Sequence, residues 1–254
     1  MKRLASLLLA AATLLATAGA VQARGLVDVQ VRDLDRHELL PVHPHRGKAW
    51  VEGRPGHRYA IRLQNLTGER VLAVVSVDGV NVISGETAAT GQAGYVLGPW
   101  QSMEVKGWRK SLSEVAAFRF TDLPDSYAAH TGRPDNVGVI GVAAFRERAR
   151  RPQPPPAPIA ESRSADVAKS VRGSEAERVA PGAARQELGT GHGERRWDAA
   201  TYTRFERASQ RPDEVVALWY DSHRALVARG VLPRRWPGRG HEPRPFPVGF
   251  VPDP

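Results

Sequence analysis

Val27, Val29 and Val31 alternate with Asp28, Gln30 and Arg32, and residues 59–64 alternate in the same way. A period of two sends successive side chains to opposite faces of a strand. Residues 71–77 form instead a β-branched run, long enough for a buried strand. Asp78-Gly79 breaks that run before the apolar residues 80–83. An Asp-Gly pair between apolar runs marks a two-residue hairpin turn, because both central residues need positive φ. Further strands are expected at 95–97, 103–108, 115–120 and 137–145, the last with small residues that suit a central strand packed on both faces. No segment before residue 148 carries a helical period. About eight short strands separated by turn signals predict a sandwich or barrel. We take the antiparallel β-sandwich, over residues 24–147, as the expected fold.

The pattern changes near residue 148. Six prolines precede that position and fourteen follow it. Residues 24–147 hold 15 basic and 14 acidic side chains, whereas residues 148–254 hold 19 and 13. The basic excess therefore lies in the second part. A Pro-rich stretch at 152–158 reads as a polyproline II spacer. The Ala-, Ser-, Arg- and Glu-rich chain to about 185 reads as linker without a packed core. Beyond it, residues 199–208 alternate like a strand, and residues 215–220 form a β-branched and aromatic run. Asp221 is placed to cap a short helix through Ala228, with Gly230 as its stop. The expected layout is thus the sandwich, a linker over 148–185 and a small basic α+β module over 186–254. That module is too small to fold comfortably alone, so docking on the sandwich is expected. Prolines after Val231 exclude regular structure toward the end of the chain.

The first residues read as an export signal. Lys2 and Arg3 precede an uncharged run of Leu, Ala and Thr, and Val21-Gln22-Ala23 supplies a cleavage motif before Arg24. Export to the periplasm or beyond is expected, with no membrane span left after cleavage, since no later run is long and apolar enough. The chain has no Cys, which excludes disulfides, thiolate catalysis and Cys-ligated metals. Of its 36 basic residues only 5 are Lys, a bias of GC-rich bacterial genomes.

Four groups of residues carry candidate chemistry. His43-Pro44-His45 places two imidazoles on one face of an extended segment, with Asp33, Asp35 and His37 near in sequence, but a lone His-x-His lacks the spacing of a closed metal site. The alternative there is a polar loop, and no metal is expected. The Gly-rich run 189–194 lacks the Lys-Ser/Thr ending of a phosphate loop. It offers His192 as a general base with Glu194 to orient it, or else a simple turn. The polar loop 122–136 carries Asp125, His130, Arg133 and Asp135, either as ligand-binding groups or as caps of its own backbone. Finally, Arg234, Arg235 and Arg239 surround Trp236, a pairing that suits an anionic lipid, lipopolysaccharide or acidic glycan. Export makes nucleic acid a poor partner. No cofactor motif, nucleophile elbow or zincin motif occurs, so no cofactor is expected. Asn65-Leu66-Thr67 is a formal glycosylation sequon that reads as turn chemistry.

Residues 50–63, 74–82 and 131–142, together with the 189–194 run and residues 203–208, resemble an uncharacterised family of exported Gram-negative envelope proteins. The resemblance implies export and the two-part layout, and it brings no catalytic residue or ligand. The expected function is a non-enzymatic envelope protein that binds a protein partner or an anionic surface component. The alternative is a periplasmic hydrolase using His192 or the loop that runs from Asp125 to Asp135.

Overall fold

The structure, a computed structural model, describes residues 25–149 and 185–234. The expected signal peptide, nearly all of the linker, and Arg235, Trp236 and Arg239 lie outside the described residues. The fold is mainly β, with two seven-stranded sheets in a sandwich-like arrangement. Among the described residues no helix is long and apolar enough to cross a membrane.

The first sheet contains β1 (Val27–Asp33), β2 (Glu38–Leu39), β5 (Arg58–Asn65), β9 (Ser102–Val105), β10 (Gly107–Arg109), β11 (Glu114–Asp122) and β13 (Leu188–Trp197). The second contains β3 (Val42–His45), β4 (Lys48–Gly53), β6 (Val71–Val77), β7 (Val80–Asn81), β8 (Tyr95–Leu97), β12 (Val139–Arg146) and β14 (Glu214–Ser222). The core between them takes Val27, Val29 and Val31 from β1, Tyr59, Ile61 and Leu63 from β5, and Phe118 and Phe120 from β11. Opposite stand Val71, Ala73, Val75 and Val77 of β6, Ile140 and Val142 of β12, and Leu218 and Tyr220 of β14.

The two kinds of strand pattern mark two kinds of sheet. β1 and β5 face water on one side, so polar residues occupy every second place. β6 is apolar but for Ser76 because its other face is covered as well. Leu72 and Val74 join Ala143 and Phe145 in a second cluster under Phe205, and Arg207 lies 4.3 Å over the Phe145 ring. Farther along the same face, Trp50 and Trp219 pack with Leu226 of α1 (His223–Ala228) and with Leu232. Ser222 caps α1 by accepting from the Ala225 N–H at 3.2 Å, and Gly230 ends the turn at φ +75°. The sequence places this cap one residue earlier, at Asp221.

Three expectations change. The sandwich does not close within residues 24–147. β13 runs along β11, and β14 lies inside the second sheet between β4 and β12. The shift in proline and charge marks the connecting segment, which is not where the sheets end. Second, β14 runs parallel to β4, so the fold is not purely antiparallel. A strand that arrives by a long connection escapes the hairpin constraint that forces neighbours to run antiparallel. Third, residues 199–208 form no strand beyond a single bridge between Glu147 and Arg207. They cross the outside of the second sheet and cover it. Asp78-Gly79 does make the expected turn, with φ of 53° and 73°.

Candidate functional site

His192 and Glu194 both lie on β13, but they do not act together. The ladder between β11 and β13 slips between Ala116 and Phe118, the mark of a β-bulge. Across a bulge, residues two apart no longer share a face. His192 stacks against Trp108, with ring centres 6.1 Å apart and an interplanar angle of 7°, and lies 5.7 Å from Tyr127. Glu194 instead meets Arg58, Arg119 and Arg196, each at 3.3 Å. Partial burial, then the charges of Lys110 and Arg195, lowers the His192 pKa, so the ring is neutral near pH 7. Glu194 is held below the usual carboxylate range, first by its own backbone N–H and then by Arg119 and Arg58. The expected orienting of His192 by Glu194 is therefore absent. Nor is the Gly-rich run a turn. It is edge strand, and Gly189 is needed because a Cβ there would sit 2.6 Å from Ser126 and 2.7 Å from Val137.

The 122–136 loop folds into three short helical turns, at Leu123–Asp125, Tyr127–His130 and Pro134–Asn136. Asp125, His130 and Asp135 are exposed and separate. Arg133 reaches Thr131 at 3.2 Å, Thr87 at 3.4 Å and the Gly85 carbonyl at 3.3 Å, and so ties the loop to its neighbour. The four side chains brought together by sequence do not converge. Arg234 is exposed at the end of the described chain.

His43 and His45 occupy β3, an edge strand that tolerates Pro44, in place of the expected loop. Asp33 and Asp35 do gather around a histidine, but it is His57, not His37, His43 or His45. Asp33 is buried, and its Oδ2 meets His57 Nδ1 at 2.7 Å. Its Oδ1 accepts from the Asp35 and Arg36 N–H groups at 2.9 and 3.0 Å. Asp35 is occupied by Arg58, whose Nε donates to it at 2.8 Å. That bond, foremost, lowers the Asp35 pKa. These carboxylates are spent on a turn and an ion pair. Asn65 of the sequon is fully buried, and its amide donates to the Glu69 and Gly98 carbonyls at 2.7 Å, which is turn chemistry.

Two groupings escaped the sequence reading. The first is a buried chain of hydroxyls ending on Asp78, which is 1% exposed. Tyr59 meets Thr190 at 2.6 Å, Thr190 meets Tyr220 at 2.6 Å, and Tyr220 donates to Asp78 at 2.6 Å. The Gly138 and Thr190 N–H groups donate to the same carboxylate at 2.8 Å. Burial pushes the Asp78 pKa up to about 6 against these donors. The turn signal at Asp78 hides this second role, since its partners lie 60 to 142 residues away.

The second grouping is an exposed edge. Trp197 ends β13 opposite Glu114 and is 76% exposed. Exposed Leu112 holds the Ala200 N–H through its carbonyl at 2.7 Å, and Tyr202, two residues on, is 90% exposed. Arg195 shares Trp197's face of β13, Arg196 points to the other face, and the Lys110 N–H donates to the carbonyl of Glu114, opposite Trp197, at 2.9 Å. Arg195 reaches only Glu114, at 3.6 Å, and Arg196 only Glu194, at 3.3 Å, among the described residues. The sequence does hold a signal for it: Arg195-Arg196-Trp197 repeats the Arg-Arg-Trp triplet of residues 234–236.

An open depression of about 610 Å³ lies between Pro55, Leu123, Glu187 and Arg224. Arg224 and Ser222 already engage Glu187 there. Comparison with protein-family models, curated proteins and solved structures gives no match.

Proposed function

We propose that this is an exported, non-enzymatic envelope protein that binds an anionic surface component through the Arg195-Arg196-Trp197 edge. One observation carries the reading: Leu112 and Trp197 stand exposed at one end of the first sheet, with Arg195 on Trp197's face of β13, Arg196 on the other face, and Lys110 in the turn that closes on Glu114. An indole at that position enters the headgroup or sugar layer while the guanidinium groups meet phosphate or carboxylate. The ion pairs to Glu114 and Glu194 are exposed and weak, so an outside anion displaces them at little cost. Asp78 is sealed in the core, and Glu194 is spent on arginines.

The hydrolase reading keeps one supporting observation, a neutral, solvent-facing His192. Among the described residues no acid bonds to that ring to orient it.

Cosedimentation with anionic phospholipid vesicles or lipopolysaccharide tests the proposal. Binding at low salt should fall steeply as screening shortens to ~8 Å near physiological ionic strength. Trp197→Ala and the Arg195→Ala/Arg196→Ala pair should each weaken it. A response to the charges alone reduces the edge to a polyelectrolyte effect. No binding by the wild type at low salt overturns the proposal.

A further inference from the structure

β14 reaches its place from beyond the 150–184 segment and then sits inside a sheet. It pairs with β4 over five residues, from Leu218 opposite Ala49 to Ser222 opposite Gly53. It pairs with β12 over six, from Trp219 opposite Val139 to Glu214 opposite Ala144. β4 and β12 do not pair with each other. Without β14 the second sheet is two pieces, and each presents a row of unpaired backbone groups to the gap.

The interior repeats this dependence. Leu218 and Tyr220 enter the main core from β14. Two of the three groups donating to the Asp78 side chain, the Thr190 N–H and the Tyr220 O–H, come from residues after 184. Leu226 and Leu232 cover Trp50. In return, Glu214 accepts from the Val27 N–H at 3.1 Å. β13 adds a ladder along β11 from Glu114 to Asp122. Every one of these contacts is non-covalent and joins described residues on either side of 150–184.

We propose that residues 25–149 form a strand-acceptor cleft between β4 and β12 whose ligand is the segment 185–234, held by contacts alone. Covalent continuity through 150–184 is then dispensable once the chain has folded, and the protein persists as two polypeptides after cleavage there. The ligand has a defined chemistry. It is a strand parallel to β4 and antiparallel to β12, with Leu218 and Tyr220 facing in and Trp219 facing out, followed by a short helix that places Leu226 on Trp50. This inference is independent of the anionic-edge proposal.

The test uses the full chain with a site-specific protease sequence inserted between Ala165 and Asp166, cut after folding. The two fragments should co-elute in gel filtration at the volume of the uncut protein and separate only through the unfolding transition in urea. Cut Tyr220→Phe, which keeps the ring and loses the donor to Asp78, should part at a lower urea concentration. Arg204→Ala, whose side chain is exposed, should leave that concentration unchanged. Separation of the wild-type fragments in native buffer overturns the proposal. So does an unshifted Tyr220→Phe, because the buried contacts would then not be what joins the pieces.

Discussion

On the outer face of the first sheet Arg32 pairs with Glu104, Arg62 reaches Gln30, and Arg58 and Arg119 share Glu194. On the outer face of the second, Leu72, Val74, Ala143 and Phe145 lie under Phe205, and Trp50 and Trp219 lie with Leu226. One face is finished by its own charges, and the other by chain that follows the 150–184 segment. That following stretch, 185–234, supplies β14 to the covered sheet and β13 to the edge of the bare one. A bare sheet needs one apolar face and reads as alternation. A covered sheet needs two and reads as a run. The continuous Val71–Val77 pattern therefore announces a cover, even though nothing before residue 148 provides it.

Substitutions of matched kind on the two faces should differ in cost. Leu226→Ala removes a fully buried side chain that packs Trp50, and should cost roughly 2–5 kcal/mol in urea unfolding. Phe205→Ala removes a partly buried ring from the other cover and should cost about 1–2 kcal/mol. Arg62→Ala on the bare face should stay within about 0.5 kcal/mol. Equal costs for Phe205→Ala and Arg62→Ala would erase the distinction between the faces.

The contrast extends to pH. Asp78 has its folded pKa raised from 3.8 to about 6, so the folded state holds its proton more tightly than the unfolded chain. Its stabilising contribution is present below about pH 4 and is lost as pH rises through about 6, a change of about 3 kcal/mol. Asp221, fully buried beside Arg229, is also raised, chiefly by burial, and acts in the same direction. Asp35 and Glu194 on the bare face are lowered, and their contribution is present above the usual carboxylate range and lost as pH falls. Stability measured from pH 4 to 7 should thus carry a falling component that Asp78→Asn removes. An identical slope in Asp78→Asn would contradict the assignment.

Much of this fold can be read along the chain. β1, β5, β6, β11 and β12 follow from two-residue alternation or β-branched runs, and the Asp78-Gly79 turn from its residue pair. β3 and β13 escape because Pro44 and three glycines suit loops equally well, and edge position alone admits them to a sheet. The places of β13 and β14 escape for a different reason. Periodicity reports which face of a strand is buried and is silent on which strand lies beside it. The site fared similarly. His192 and Glu194 look paired by spacing until a bulge turns them apart, and His57 joins Asp33 across 24 residues. Trp197 was in plain view beside two arginines.

A chain shortened to residues 25–149 tests most directly whether the sandwich is built from both sides of the 150–184 segment. Lacking β14, it should show no cooperative thermal unfolding and should bind hydrophobic dyes through the open gap between β4 and β12. A β-type far-UV spectrum with a cooperative melt within a few degrees of the full chain would contradict that construction.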